Sequence, residues 1–323
     1  MNQTRLQTTE LGSTGLEITR LGFGAWAIGG GNWEFGWGSQ DDADSVEAIH
    51  RALELGVNWI DTAAAYGFGR SEAVVGRALR DLPAEARPLV FTKASLLEGP
   101  GRTVVHNLER DSILREVHGS LERLGLDAID LYQIHWPNPD EDLEEGWRTF
   151  AELREQGLVR HIGVCNFDVE QLRRAQQIAP VETLQPQYSL IEREVEEGVL
   201  PFAEGEGIGV IVYSPMGSGL LTGRMTRERI AGLPEDDWRK RDERFREPLL
   251  SEHLALVERL GAVAERHGVT PGAVAVAWTL ANPAVDGAIV GFRRRDQVDP
   301  IVTGAGVELS DEDIALIEQT SRR

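Results

Sequence analysis

Cysteine is almost absent from this sequence of 323 residues, in which Cys165 is the one thiol. A single cysteine excludes a disulfide within the chain, and this usage is typical of proteins from a reducing compartment. The first segment, MNQTRLQTTELG, is polar and lacks the apolar stretch of a secretory signal. We therefore expect a cytoplasmic protein.

Long apolar runs and an excess of positive charge are also missing. The longest apolar run, residues 273–280, is far shorter than the roughly 20 residues that span a membrane. The chain has 33 basic and 53 acidic residues, which gives a net charge of −20. Because nucleic acids and anionic membranes repel such a chain, we expect neither as a partner. A small basic pocket for one phosphate is still compatible with this charge.

The common signatures of metal and nucleotide sites are missing as well. Seven histidines are scattered singly, and none forms HExxH or a Cys/His cluster, so no metal site is predicted. Residues 22–27 match the GxGxxA dinucleotide fingerprint, but a Gly-rich loop follows where that fingerprint requires a helix. We therefore reject a Rossmann-type nucleotide site.

The sequence does contain a regular alternation of strand-like and helix-like segments. Strands are predicted at residues 21–25, 57–61, 88–93, 128–135, 159–164, 181–187, 208–213 and 286–291. Helices are predicted at residues 41–55, 71–80, 107–124, 142–156, 168–177, 194–206, 249–267, 271–281, 294–303 and 310–321. Alternation of this kind favours a parallel sheet, and eight repeats favour closure into a barrel.

The fold class is therefore α/β, with a (β/α)8 TIM barrel as the prediction and an open doubly wound sheet as the alternative. Residues 6–19 are predicted to form an N-terminal β-hairpin that caps one end of the barrel, and extra helices are expected near the C-terminus. No linker or shift of composition divides the chain. Residues 1–323 are therefore expected to form a single domain.

Charged residues stand where two of these strands end. The apolar runs 57–60 and 89–91 lead to Asp61 and Lys93, and Tyr66 follows Asp61 in a loop that contains glycine. Because parallel strands joined by a helix end at the same pole, these three side chains can converge. A carboxylate, an ammonium and a phenol in one place are typical of acid chemistry.

The segment DTAAAYGFGRSEAVVGRAL, residues 61–79, resembles the signature of the aldo-keto reductases. The words FTK, ending at Lys93, and LYQIHWP, around His135, extend the match, which runs from LGFGAW at 21–26 to IVGFRRRDQV at 289–298. The resemblance implies a (β/α)8 barrel that carries Asp61, Tyr66, Lys93 and His135 as a catalytic tetrad.

The activity that this resemblance implies is hydride transfer between a nicotinamide and a carbonyl. Tyr66 would donate the proton. A phenol has a reference pKa of about 10, and a nearby cation lowers that pKa by stabilising the phenolate. Lys93 would be the cation, Asp61 would hold Lys93 in place, and His135 would hydrogen-bond the carbonyl oxygen.

Further segments resemble the family's cofactor-binding segments. GVCNF at 163–167 and LQPQYSL at 184–190 imply that Asn166 and Gln187 hold the nicotinamide carboxamide, and Tyr213 would stack on the ring. Trp26 and Gly291, at two strand ends, are counted among the contacts. In YSPMGSGLLTG, successive backbone amides would bind the pyrophosphate as an anion nest, namely those of Ser214, Met216, Gly217, Ser218, Gly219 and Leu220.

VGFRRRDQV at 290–298 resembles the family's adenine-end segment. It implies that Arg293 contacts the 2′-phosphate of NADP and that Gln297 contacts adenine. The family often has an Asn a few residues after this Gln, and the present sequence has none. Because Arg293 is expected to contact the 2′-phosphate, NADPH is the expected cofactor, with NADH as the less favoured alternative.

Aromatic residues are predicted to line the substrate pocket. Trp33 and Trp26 belong to the first loop, with Phe35 and Trp37 beside them, and Trp136 follows His135. An aromatic wall favours small aldehydes and ketones, and hydroxyl-rich sugars stay open as substrates. The sequence names neither the natural substrate nor the physiological direction of the reaction, and a homo-oligomer stays open.

Two other function classes also stay open. One is a regulatory or sensor protein that binds the cofactor and turns over slowly. The other is a barrel enzyme, such as an isomerase or aldolase, in which Lys93 forms a Schiff base with its substrate.

Overall fold

The apolar runs of the sequence form short, buried strands. The computed structural model describes residues 6–319. The strands are β1 (Thr8–Glu10), β2 (Glu17–Thr19), β3 (Leu21–Gly24), β4 (Trp59–Asp61), β5 (Leu89–Ala94), β6 (Leu96–Glu98), β7 (Val104–His106), β8 (Ile129–Ile134), β9 (Val159–Cys165), β10 (Thr183–Gln185), β11 (Gly209–Tyr213) and β12 (Gly287–Gly291). Strands β3, β4, β5 and β8 to β12 pair in this order and close into a barrel, with β12 beside β3. The predicted barrel is confirmed, and the open sheet is wrong.

Helices follow the barrel strands. They are α1 (Asp42–Glu54), α2 (Arg70–Arg80), α3 (Arg110–Leu124), α4 (Leu143–Glu155), α5 (Val169–Gln176), α6 (Val199–Glu206), α7 (Arg227–Ala231), α8 (Leu249–His267), α9 (Pro271–Leu280), α10 (Val298–Val302) and α11 (Asp311–Ile317). Local sequence sets their ends: Asp168 and Gln171 form a capping box at the start of α5, and the left-handed Gly125 ends α3. No helix within residues 6–319 is long and apolar enough to cross a membrane.

Some segments differ from the prediction. The antiparallel pair β6–β7 between β5 and α3 was not predicted. The predicted helix 194–206 is a short turn and then α6, because the backbone of Gly198 (φ −149°, ψ −53°) is not helical. The predicted helix 294–303 is regular only in α10. The last predicted helix, 310–321, ends at Ile317, and its residues 320 and 321 lie outside the described residues. That the chain is a single domain stays a prediction.

The interior of the barrel changes from apolar to polar along its axis. The predicted hairpin is present as β1 and β2, and its turn brings Leu11 and Ile18 into an apolar cluster with residues of the barrel strands, namely Trp59, Phe91, Leu131, Ile211 and Ile289. Alternate residues of a strand face the same side. Two positions further along β4, β5 and β8 stand Asp61, Lys93 and Gln133, which are all buried. The strand pattern therefore places a polar layer directly above the apolar one.

We predict that Gly22→Ala destabilises the barrel by about 1–3 kcal/mol, because an added methyl group overpacks the interior. A Cβ at position 22 would lie 2.2 Å from the buried Trp59 ring. Gly261→Ala in α8 is the control, since nothing lies within 4 Å of its added Cβ. It should raise the free energy of unfolding by about 0.5–1 kcal/mol through helix propensity. Denaturant unfolding measures both, and unchanged stability of Gly22→Ala would contradict the packing described.

Candidate active site

A buried ion pair lies in the polar layer of the barrel. The Lys93 Nζ donates to Asp61 Oδ1 at 2.5 Å, to the Thr62 carbonyl at 2.9 Å and to the Tyr66 hydroxyl at 3.4 Å. Lys93 is 1% exposed and Asp61 is 3% exposed. These three acceptors match the three N–H groups of an ammonium, so the charge is fully hydrogen-bonded without water.

The surroundings keep Lys93 charged. Burial lowers the pKa of Lys93, but the Asp61 carboxylate and other neighbours raise it by more than burial lowers it. The pKa therefore lies above its ordinary value. The second oxygen of Asp61 accepts from Gln185 Nε2 at 2.9 Å, and the same nitrogen lies 3.2 Å from Gln133 Oε1. Sequence reasoning missed both glutamines. Each stands two positions after a residue that faces the barrel interior, and this spacing could have indicated them.

The loop after β4 holds Tyr66 over this pair. The backbones of Gly29 and Gly67 touch: a Cβ on Gly67, whose φ is +65°, would lie 2.3 Å from the Gly29 carbonyl oxygen. This contact fixes the loop next to the phenol. Burial raises the pKa of Tyr66 to about 12, and Lys93 opposes that shift. The expected effect of Lys93 is therefore present, but burial outweighs it, and the phenol keeps its proton.

His135 follows β8, with its ring 5.6 Å from the Tyr66 ring at an angle of 79°. Its backbone N–H donates to the Ala94 carbonyl at 2.9 Å. Burial and the charge of Lys93 hold the pKa of His135 well below its ordinary value, so the imidazole is neutral near neutral pH. The structure thus brings the four side chains of the predicted tetrad together.

A cleft of about 230 Å³ is lined by Asp61 and Tyr66 of the tetrad and also by Pro300 and Ile301. Most of the predicted cofactor residues line it, namely Trp26, Tyr213, Ser214, Met216, Ser218, Gly219, Gly291, Arg293 and Gln297. Four others are absent from its wall: Asn166, Gln187, Gly217 and Leu220. The cleft is therefore long enough to connect the tetrad with the predicted adenine end.

The predicted carboxamide ligands are engaged with the protein itself. Asn166 Nδ2 donates to the His135 carbonyl at 2.9 Å, and Asn166 Oδ1 accepts from the Tyr213 hydroxyl at 2.9 Å. Gln187 Oε1 lies 3.4 Å from the same hydroxyl. These bonds use one N–H and one lone pair of the Asn166 amide, so its second N–H and second lone pair are left for a carboxamide.

The loop after β11 has a run of left-handed residues. Ser214, Gly217, Ser218 and Gly219 all have positive φ, at 56°, 55°, 54° and 100°. Left-handed residues in such a loop can turn successive amides toward one point, which favours an anion. The amides of Gly217 and Gly219, however, donate within the loop at 2.9 and 3.1 Å, so these two of the predicted amides are engaged.

Leu220, the last of that predicted set, has a different environment. Its side chain is buried and packs in a small apolar cluster with Met225, Phe245 and Leu250. In this position the residue anchors the loop to α8 through its side chain.

Four arginines line the cleft. Arg224, Arg229 and Arg239 line it with Arg293, and sequence reasoning missed the first three. Burial and then the Arg239 guanidinium lower the pKa of Arg293, with Arg294 and Arg229 adding to the effect. Neighbouring cations that lower the pKa of Arg293 favour an anion beside it. The density of arginine in residues 224–246 of an acidic chain could have indicated this.

Residues 234–241, which we call the clasp, cross the first loop of the barrel. The Trp238 ring stacks on Trp26 with centroids 5.2 Å apart and an angle of 18°. The Trp238 amide donates to the Gly36 carbonyl at 2.9 Å, and Trp37 forms a β-bridge with Asp237. The clasp thus closes one side of the cleft with contacts between residues that are 200 or more positions apart in the sequence.

The three predicted substrate residues have different positions. Trp26 lines the cleft and stacks on Tyr66 at 6.3 Å. Trp33 is buried against Phe35 and Phe68 and is not part of the cleft wall. Trp136 is 38% exposed and is likewise absent from that wall. Trp37, another aromatic residue that the sequence predicted for the pocket wall, does line the cleft.

Metal ligands are not assembled in the described part of the chain. Between residues 6 and 319, no group of three or more His, Cys, Asp or Glu side chains could hold a metal ion.

Comparison with known proteins agrees with this geometry. The profile of the Aldo/keto reductase family matches residues 20–322. Aldo-keto reductase YhdN of Bacillus subtilis strain 168 is 40% identical over 95% of this chain and 91% of its own length. The NADH-specific methylglyoxal reductase of Escherichia coli K12 is 34% identical over 96% of each chain. The structure of a glycerol dehydrogenase from Gluconobacter oxydans superimposes with a TM-score of 0.86 at 36% identity, covering 98% of this chain and 95% of the other.

A family profile over nearly the whole chain, relatives above 30% identity and a shared closed barrel agree with one another. The protein belongs to the aldo/keto reductase family, whose members are oxidoreductases that act on carbonyl groups with a nicotinamide cofactor.

Proposed function

We propose that the protein is an NADPH-dependent reductase of small aldehydes and ketones, with Tyr66 as proton donor. The observation that carries this proposal is the hydrogen-bonded series from Tyr66 through Lys93 to Asp61 at the inner end of the cleft. A phenol that contacts a buried cation can lose and regain a proton at the point where the substrate carbonyl would bind.

Each side chain has one task in this proposal. The nicotinamide supplies the hydride when bound. Tyr66, whose pKa of about 12 keeps it protonated, gives its proton to the carbonyl oxygen as negative charge develops there. Lys93 stabilises the phenolate that remains, and Asp61 keeps Lys93 in reach. His135, being neutral, orients the carbonyl oxygen without adding a charge.

The lining of the cleft supports a phosphorylated dinucleotide as its ligand. Tyr213 and Trp26 supply aromatic faces at the tetrad end, and the left-handed loop from Ser214 supplies an anion site in the middle. Arg293 and Arg229 supply positive charge at the far end, which supports a 2′-phosphate and therefore NADPH. NADH stays the alternative, since one relative is NADH-specific.

The alternative of a Schiff base on Lys93 receives little support. A Schiff base needs a free, neutral amine, whereas Lys93 donates to three acceptors and its pKa is raised. The alternative of a slowly reacting sensor has no observation in its favour beyond the cofactor cleft itself. Borohydride trapping with a bound carbonyl tests the first, and turnover tests the second.

Substrate and location are extensions of the proposal. Relatives are named for methylglyoxal and for glycerol, so methylglyoxal and the carbonyl forms of glycerol are the first compounds to test beside an activated aromatic aldehyde. A cytoplasmic location is supported by the one cysteine, which is a buried free thiol.

We predict that Tyr66→Phe binds NADPH normally but lowers kcat for an activated aromatic aldehyde by about 10²- to 10⁴-fold, the usual range for loss of a general acid. NADPH consumption and a binding titration measure the two quantities. Tyr188→Phe is the matched control, because this tyrosine is buried away from the cleft against Glu196. Normal turnover by Tyr66→Phe would remove Tyr66 from the mechanism.

We expect no tyrosinate absorbance from the folded, cofactor-free protein at pH 10, since burial raises the pKa of all four tyrosines. The denatured chain should ionise with a midpoint of about 10. A pH titration of the ultraviolet absorbance, run on wild type and Tyr66→Phe, isolates the contribution of Tyr66. An ionisation below pH 10 that disappears in Tyr66→Phe would mean that Lys93 outweighs burial after all.

We predict that Arg293→Ala weakens NADPH binding by about 10- to 100-fold, the effect of one charge-assisted contact, while NADH binding changes little. Arg295→Ala is the control, because this neighbour pairs with Glu54 on α1. Dissociation constants for both cofactors measure the result. An equal loss for NADPH and NADH would assign Arg293 to a part of the cofactor that the two share.

A further inference from the structure

Ser95 is held in an unfavourable backbone conformation beside the tetrad. It follows β5 directly, two residues after Lys93, and its φ is +90° although it is not glycine. It is also fully buried. A non-glycine residue with positive φ persists where its surroundings determine its conformation, so the contacts of Ser95 identify what holds it.

Those contacts connect helix α3 with the base of His135. The Ser95 amide donates to Glu116 Oε2 at 3.1 Å. The Ser95 hydroxyl oxygen accepts from the Trp136 amide at 3.3 Å and lies 3.3 Å from the Trp136 carbonyl. His135 itself is tied to Ala94, the residue before Ser95. Residues 94 and 95 therefore hold both His135 and its neighbour.

Glu116 is a buried carboxyl group that the proposed mechanism does not use. It is 8% exposed, and its other oxygen lies 3.3 Å from the Ser112 hydroxyl. Two charged groups lie near it, namely Glu72 on α2 and the Arg123 guanidinium that pairs with Glu72. The phenol of Tyr132 on β8 also faces it. Burying a carboxyl group there costs free energy that an apolar side chain would not.

We propose that Glu116 is a positioning residue for His135. Its carboxyl group holds the amide of Ser95, and Ser95 in turn holds the backbone that carries the imidazole. This proposal rests on the proposed reductase function for its catalytic consequence. Glu116 would affect the substrate carbonyl only through His135. The position of His135 in such a site must be kept within a fraction of an ångström.

The chemistry of Glu116 suggests a conservative replacement. Burial raises the pKa of Glu116 to about 8, against the opposing bonds from Ser95 and Ser112, so the carboxyl is mostly neutral at pH 7. Glutamine has the same shape and can accept the Ser95 amide through its oxygen. Leucine fills the space but offers no acceptor.

We therefore expect Glu116→Leu to lower kcat for an activated aldehyde by about 10- to 100-fold, with NADPH affinity unchanged within about twofold. Glu116→Gln at pH 7 should restore most of the rate. Ser120→Ala, on the same buried face of α3, is the control and should match wild type. Ser95→Ala should also lower kcat, and the double variant with Glu116→Leu should be no slower than the slower single variant, because both act on one chain of contacts.

Two results would overturn the inference. One is a double variant whose loss of kcat is the product of the losses in Glu116→Leu and Ser95→Ala. The other is a Glu116→Leu variant that has a lower melting temperature but a normal kcat. The nuclear magnetic resonance signals of the His135 ring, assigned with His135→Gln, report its placement without turnover. They should move in Glu116→Leu and stay in Ser120→Ala; ring signals that stay in both would reject the inference. If wild type reduces no carbonyl and the signals still move in Glu116→Leu alone, the positioning role stands and the proposed function fails.

Discussion

Burial of the Lys93 ammonium inside the barrel is the constraint on which the rest of the site depends. An ammonium without partners would be too costly in this interior. Asp61, the Thr62 carbonyl and the Tyr66 hydroxyl supply its partners, and Gln185 occupies the second oxygen of Asp61. Strands β4, β5 and β10 must therefore keep their positions around the barrel, because a shift in any of them would leave a charge or an amide without its partner.

The two ends of the cleft are chemically different, and the fold explains the difference. The tetrad lies directly above the apolar layer of Trp59, Phe91 and the hairpin, where burial keeps Tyr66 protonated and His135 neutral. The far end is formed by segments outside the barrel strands, which carry Arg224, Arg229 and Arg293. One end therefore suits proton transfer and the other suits recognition of a phosphate.

The barrel and the tetrad could be predicted because both follow from local order. Strand ends of a parallel barrel meet at one pole, so Asp61, Lys93 and His135 had to converge once the strands were identified. The clasp could not be predicted, since Trp238 and Trp26 are more than 200 residues apart and nothing in either local sequence specifies the other. The hairpin β6–β7 was missed because each of its strands has three residues and no long apolar pattern.

Side-chain states were harder to predict than positions. The pattern placed Tyr66 beside Lys93, but only the packed interior reveals that burial raises the pKa of the phenol more than the cation lowers it. Asn166 occupies the expected strand end, yet its amide is engaged by His135 and Tyr213, which depends on rotamers that a sequence does not encode locally. The amides of Gly217 and Gly219 donate to carbonyls that close tight turns inside the loop, and the local sequence did not indicate this.

The burial of Lys93 and Cys165 has a consequence for durability. Aldehydes inactivate many proteins by condensing with amines and adding to thiols. Lysine occurs at two positions of this chain, Lys93 and Lys240, so 31 of its 33 basic residues are arginine. Lys93 is enclosed, Lys240 pairs with Glu235, and burial raises the pKa of the Cys165 thiol, which therefore stays protonated and unreactive. The chain therefore offers few accessible amines and thiols to a simple aldehyde, the class of compound on which its proposed activity acts.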